Sequence, residues 1–255
     1  MKDSKVFMLI VVWALSQSAL HGQVDSIPKK QDPKATKIIG IALPSAMITY
    51  GLISLADNGV RQIDYNVHNS LEQNNRFWHK HAEDYIQFAP AVAAYALKFC
   101  NVENTNSLLN MTILYGLSNL VAGGIVQSGK FIIGRKRPDN SNNFSFPSGH
   151  TETAFVAAEF LHQEYKEKSV WISVGGYAAA TFVGVARVYN NKHWVSDVVT
   201  GAGIGILSTK AVYWIYPYLQ EIYEKKFGKK DKPLRAFVFP EYSNRNLGLA
   251  LSYAF

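Results

Sequence analysis

From Leu108 to Pro138 the sequence runs LLNMTILYGLSNLVAGGIVQSGKFIIGRKRP. The apolar run predicts a helix over Leu108–Ile133, long enough to cross a bilayer. Its end is basic, with Lys130 followed by Arg135, Lys136 and Arg137. Pro138 closes the helix and sets the exit path. Lys130 and Arg137 are two fixed cations able to converge on one anionic oxygen, the arginine through its bidentate fork. Taken alone the cluster says little, because cations at a helix end also complement the helix dipole.

On either side of this segment, further apolar stretches run over Ile38–Leu55, Tyr85–Phe99, Thr153–Leu161, Val170–Val188 and Val198–Leu219. Together they predict six helices. The fourth is too short to span a membrane and is interrupted by Glu152 and Glu159. The helical region carries no strand alternation and no internal repeat, so the fold class is all-α. Gly201, Gly203 and Gly205 follow no strand, which argues against a dinucleotide loop and for close helix packing. Mean hydropathy is −0.05, low for a fully embedded bundle. A membrane bundle and a soluble one both stay open at this point. The period changes at the end of the chain. Ala236–Phe239 and Leu247–Phe255 read as strands around a polar turn at Ser243–Asn246, giving a short C-terminal β-hairpin.

The N-terminus reads as a secretory signal over residues 1–22, with Lys2 and Lys5 ahead of the apolar run Val6–Leu15. An uncleaved anchor is the alternative. Residues 23–35 are polar, contain Pro28 and Pro33, and read as a linker. The helical domain is expected over 36–232 and the hairpin over 233–255. Cys100 is the single cysteine, which excludes an intrachain disulfide and a cysteine metal cluster. It closes an apolar stretch and is expected to be buried and inert. The net charge of +7 favours anionic partners. Part of it is a solvated tail at Lys225, Lys226, Lys229, Lys230 and Lys232. No zinc-finger spacing and no basic helix interleaved with stacking aromatics is present, so no nucleic acid is expected as a partner.

Two further clusters carry chemistry. Pro147-Ser148-Gly149-His150 precedes the fourth helix. Ser148 is placed to cap it, Gly149 admits close backbone approach, and the free N–H groups of a helix start bind anions. Arg187–Asp197 reads RVYNNKHWVSD, with His193 and Asp197 four residues apart. On a helix that spacing puts them on one face, where a carboxylate fixes the imidazole tautomer and raises its basicity. Each cluster alone fits an ordinary helix terminus. Their order, K-x6-RP, then PSGH, then R-x5-H-x3-D, is what makes them specific.

The set resembles the type 2 phosphatidic acid phosphatase superfamily, which also contains bacterial acid phosphatases and vanadium haloperoxidases. The resemblance extends over about Ile38–Leu219 and points to the bacterial membrane-associated lipid phosphatase branch. It implies a six-helix bundle of that kind. It also implies that Lys130, Arg137 and Arg187 bind phosphate oxygens, with help from the Ser148 hydroxyl and the Gly149 N–H. His193 would attack phosphorus and form a phosphohistidine, Asp197 would orient it, and His150 would protonate the leaving alcohol. No metal and no other cofactor is implied, since the cations neutralise the charge. One departure is Ala186, where the family usually has serine before the arginine.

A lipid phosphate is therefore the expected substrate and the membrane the expected partner. Lipid A, undecaprenyl diphosphate, phosphatidylglycerol phosphate and phosphatidic acid are the candidates. The expected location is the bacterial inner membrane, with the site facing the periplasm. The alternatives are a soluble periplasmic acid phosphatase, a vanadium-dependent haloperoxidase and a non-catalytic envelope protein. His79 and His81 with Glu83 hint at a metal site. The polar stretch holding Arg76, Lys80 and Asp84 reads instead as a solvated loop or interfacial helix. His162 is expected to be exposed. Three spanning helices after a cleaved signal would put the site in the cytoplasm, so one of the first three apolar segments is expected not to span, or the bundle to be only partly embedded.

Overall fold

The computed structural model describes residues 33–74, 81–227, 235–243 and 246–254. The signal-like residues 1–22, most of the linker, and Arg76, His79 and Lys80 lie outside them. The chain separates into two units, 1–40 and 41–255. The first contributes only the opening turns of one helix to the described residues; the second holds the helical bundle.

Eight helices, not six, are found among the described residues. They are α1 (Pro33–Ile53), α2 (Gly59–Gln73), α3 (Glu83–Ile86), α4 (Ala89–Phe99), α5 (Leu108–Ile133), α6 (Gly149–Tyr165), α7 (Val170–Tyr189) and α8 (Val195–Phe227). The sequence reading missed α2 because GVRQIDYNVHNSLEQ contains no apolar run. It forms because the Asn58 side chain accepts from the N–H groups of Val60 and Arg61, and because Val60, Ile63, Val67 and Leu71 recur at helical spacing; Asp64 and Leu71 are buried. The expected Tyr85–Phe99 helix is divided into the short α3, which begins at Glu83, and α4. Strands β1 (Arg235–Ser243) and β2 (Asn246–Ala254) pair antiparallel, Arg235 opposite Ala254 and Ser243 opposite Asn246.

Helix α6 is the centre of the bundle and packs against α4, α5, α7 and α8. It runs well beyond the expected Thr153–Leu161, and its carboxylates do not interrupt it. Glu159 is buried yet satisfied by Lys210 Nζ at 2.7 Å, Gln163 Nε2 at 2.6 Å and the Tyr177 hydroxyl. Glu164 accepts from Asn106 Nδ2, Asn104 Nδ2 and the Tyr213 hydroxyl at 2.8, 2.9 and 2.6 Å. Buried charge with every oxygen occupied is compatible with a helix core. Phe160, Tyr165, Met111 and Ala94 fill the layer beside these groups.

The glycines of α8 set its distance from α6. A Cβ at Gly201 would fall 2.4 Å from the Ser148 carbonyl oxygen, and one at Gly205 2.6 Å from that of Glu152. Gly203, on another side, faces the Pro44 carbonyl of α1 in the same way, at 2.7 Å. Close packing is thus what the GxGxG spacing serves.

Helices α5 and α7, and α8 over Val195–Tyr223, are long and apolar enough to cross a membrane. Their outward residues include Leu120, Ile132, Trp171 and Ile222, all exposed and apolar, as expected of a membrane-associated bundle. The apolar part of α1, Gly40–Ile53, is shorter, and α4 shorter still. Two smaller expectations fail. Cys100 is exposed at the end of α4, and His162 is half-buried with Nδ1 2.8 Å from Ser173 Oγ.

Candidate active site

Helices α5 to α8 alternate in direction. Lys130 at the end of α5, Gly149 at the start of α6, Arg187 at the end of α7 and Asp197 at the start of α8 therefore meet at one end of the bundle. Gly134, in the left-handed region at φ 60°, terminates α5 by donating its N–H to Lys130 O. The chain then loops through Arg135–Pro147 across the ends of the other helices.

Lys130 Nζ donates to the Phe144 carbonyl at 2.8 Å. Its Cε lies 3.9 Å from the position a Cβ on Gly149 would take, so the side chain crosses the opening turn of α6. The free N–H groups of that turn and the lysine thus face the same space. Ser148 occupies the N-cap position but its side chain does not cap. Its Oγ pairs with Thr151 Oγ1 at 2.9 Å, and its N–H donates to the Asp197 carbonyl at 3.1 Å.

Arg187 is buried. Its Nη1 donates to Glu83 Oε1 at 3.0 Å, and Asn190 Nδ2 donates to the same oxygen at 2.6 Å. Glu83 is itself buried, so this part of the stretch read as a solvated loop is built into the site instead. Next to it, Asp84 Oδ1 lies 2.9 Å from His150 Nε2. The Nε atoms of Arg137 and Arg187 are buried and have no hydrogen-bond partner among the described residues. Buried guanidinium N–H groups are costly to leave unpaired, and an anionic oxygen would satisfy both.

His193 is buried just ahead of α8, so the helical-face argument does not apply to it. Its Nδ1 lies 2.7 Å from the Ser145 carbonyl oxygen and 3.6 Å from Asp197 Oδ2. A carbonyl oxygen only accepts, so Nδ1 carries the proton and Nε2 keeps a bare lone pair. Burial pushes the imidazole down to about 4; Asp197 opposes this, and Lys130 and Arg137 add to it. The ring is neutral over most of the pH range.

Asp197 is held by three hydrogen-bond donors among the described residues. Its Oδ1 accepts from Arg135 Nη1 at 2.7 Å, and its Oδ2 from Ser145 Oγ at 2.5 Å and from the Trp194 N–H at 2.9 Å. His193 Nδ1, 3.6 Å from Oδ2, is close to Asp197 but gives its proton to the Ser145 carbonyl. Arg135 also donates through Nη2 to Asp64 Oδ2 at 2.7 Å, and lies over the Trp194 ring. Asp64 Oδ1 in turn accepts the Ser196 N–H at 2.9 Å. Asp64, Glu83, Asp84, Arg135 and Ser145 were not singled out as site residues from sequence. Of these only Arg135 lies inside one of the three motifs.

The sequence profile of the PAP2 superfamily matches residues 111–221. The lipid A 1-phosphatase of Porphyromonas gingivalis is 40% identical over 139 residues, which is 54% of this chain and 31% of that protein. Phosphatidylglycerophosphatase B of Bacillus subtilis is 38% identical over 89 residues, 29% of this chain and 43% of that one. The chain therefore spans less than half the length of these curated relatives. Among solved structures, a transmembrane PAP2-type phosphatidylglycerolphosphate phosphatase from Bacillus subtilis superposes with a TM-score of 0.50 at 24% identity. That superposition covers 69% of this chain and 97% of the other, a likeness of fold. The stretch matched by that profile carries the helix ends at Lys130, Gly149, Arg187 and Asp197, and this chain is similar to the PAP2 superfamily there.

Proposed function

We propose that this chain is a metal-independent phosphatase that hydrolyses a lipid phosphate at the bacterial cell envelope through a phosphohistidine at His193. The observation that carries the reading is the tautomer of His193, proton on Nδ1 and lone pair on Nε2, next to the cluster of Lys130, Arg137 and Arg187 at the helix ends. A neutral imidazole beside three cations is suited to attack the phosphorus of an anion that those cations hold.

In this reading Lys130, Arg137, Arg187 and the Gly149 N–H take the non-bridging oxygens, with Ser148 ordering the turn that presents them. His193 Nε2 forms the N–P bond as the ester P–O bond breaks. His150 gives its proton to the departing oxygen and then takes one from the water that cleaves the phosphohistidine. Asp197 holds the loop and the imidazole in register. The lipid candidates remain lipid A, phosphatidylglycerol phosphate, phosphatidic acid and undecaprenyl diphosphate. The exposed apolar surface of α5, α7 and α8 favours a membrane location over a soluble acid phosphatase. We place the site on the periplasmic side of the inner membrane; a reporter fused after Pro138 that works only in the cytoplasm would overturn that.

The test is phosphate release by purified protein in detergent, from those four lipids and from p-nitrophenyl phosphate, with His193→Ala alongside. Lipid cleavage that survives EDTA, is lost in the variant and leaves an acid-labile phosphoenzyme is expected. A strict requirement for a divalent ion, or full activity in His193→Ala, would sink the mechanism.

A further inference from the structure

Asp84 sits on α3, partly exposed, with its carboxylate turned into the site. Its Oδ1 is 2.9 Å from His150 Nε2 and 3.7 Å from Arg187 Nη1. One oxygen therefore lies against both the proposed proton donor and a proposed phosphate-binding cation. Glu83 beside it does something else: it is buried and spends its Oε1 on fixing Arg187 and Asn190. The atom that must come between the general acid and the bound phosphoryl group is the ester oxygen of the leaving group. If His150 is that acid, Asp84, in contact with it, flanks the path of that oxygen and its substituent.

We propose that Asp84 is a specificity-determining residue that selects substrates whose leaving group is an uncharged alcohol and rejects those whose leaving group is itself a phosphate. The inference rests on the phosphatase reading and deepens it. With a phosphomonoester, the P–O bond breaks as the N–P bond to His193 forms. The electron pair moves to the leaving oxygen, His150 supplies a proton, and a neutral alcohol departs. Its hydroxyl can donate to Asp84, which favours release in that position. With a diphosphate, the group that leaves is a second phosphate. Its anionic oxygens would be pressed against the Asp84 carboxylate in a partly buried site, where like charges repel strongly. Lys130 and Arg137 are committed to the phosphoryl group being transferred, and Arg187, 3.7 Å from Asp84, is shared between that group and Glu83, which leaves the repulsion only partly offset.

The experiment compares kcat/KM for a phosphomonoester lipid, phosphatidic acid, and for an isoprenyl diphosphate. It uses the full chain in detergent, as wild type, Asp84→Asn and Asp139→Asn. Asp139 is the control of equal charge change: it accepts from Lys192 Nζ at 2.8 Å and does not touch His150. Wild type is expected to prefer the monoester. Asp84→Asn is expected to raise the diphosphate-to-monoester ratio about tenfold or more. Asp139→Asn is expected to raise it much less. An unchanged ratio in Asp84→Asn, an equal rise in both variants, or a wild-type preference for diphosphate would overturn the proposal. A second readout needs no turnover. Asp84→Asn is expected to gain affinity for pyrophosphate more than for inorganic phosphate, and equal gains would overturn it. If no substrate releases phosphate, the phosphatase reading fails, and the two affinities still decide the role of Asp84.

Discussion

Arg135 bonds to Asp197 at 2.7 Å, and through the other arm of the same guanidinium to Asp64 at 2.7 Å. All three side chains are buried. A planar fork with two donor edges can hold two carboxylates in fixed directions, which lysine cannot. The bridge therefore ties α2 to the start of α8, and Asp197 keeps the loop that presents Ser145 to His193. Arg135→Ala would leave two buried carboxylates without their cation, at a cost of about 3–5 kcal/mol. Arg135→Lys keeps the charge and loses the fork. In that variant kcat is expected to fall about a hundredfold with KM little changed, because the proposed nucleophile His193 is misplaced and the proposed phosphate-binding cations are not. A rise in KM with unaltered kcat would show that Arg135 binds substrate instead.

The pH profile follows from the two histidines. The proposed mechanism needs His193 neutral and His150 protonated. Burial holds His193 down at about 4, so the acid limb of kcat/KM falls only as pH drops through about 4. Burial also lowers His150 from 6.5, Arg187 lowers it further, and Asp84 and Glu83 oppose. The alkaline limb is expected to fall below pH 6.5, giving an acidic optimum between the two limbs. Asp84→Asn removes the main opposing charge, so its alkaline limb is expected to move to lower pH. A limb that stays in place would mean that His150 is not the group titrating.

The three chemical clusters were legible in sequence because each sits at the end of a long apolar segment, where hydrophobic pattern and motif reinforce one another. What holds them was not. Asp64 lies in α2, whose apolar residues Val60, Ile63, Val67 and Leu71 recur at helical spacing but form no continuous apolar run. Glu83 and Asp84 lie in a charged stretch that composition alone assigns to solvent, and only folding brings them against Arg187 and His150. Asp197 was read as the partner of His193 through helical spacing. Since His193 precedes the helix, its Nδ1 found the Ser145 carbonyl first. The glycines of α8 were read correctly as packing positions, because GxGxG inside an apolar helix has few other uses.

That packing makes its own prediction. Gly201 and Gly205 let α8 approach the opening turns of α6, whose N–H groups face the proposed phosphate position. A methyl group at Gly201 would meet the Ser148 carbonyl oxygen, which belongs to backbone and cannot rotate away. Gly201→Ala is expected to destabilise by about 1–3 kcal/mol and to lower kcat/KM for every substrate alike. Gly124→Ala on α5, where nothing lies within 4 Å of an added Cβ, is expected to do neither. Equal thermal stabilities for the two variants would refute the packing account.

Glu152 is the remaining buried carboxyl near the site, one turn into α6. Burial pushes it up to about 7, against the hydrogen bond from Thr153 and the charge of Lys130. Its folded value thus lies above its unfolded value of 4.5, and the sign follows. Below pH 4.5 the group is protonated in both states and costs nothing. As pH rises from there to about 7 the unfolded chain ionises first, so stability declines through that window and then levels off. At the plateau the cost is about 3 kcal/mol. Glu152→Gln is expected to unfold at the same temperature as wild type in acid and at a higher one above neutrality. The difference should open across that window. A difference that does not vary with pH would mean the carboxyl is already ionised in the fold, held by Lys130, and would reassign the pair from a burial cost to a working ion pair.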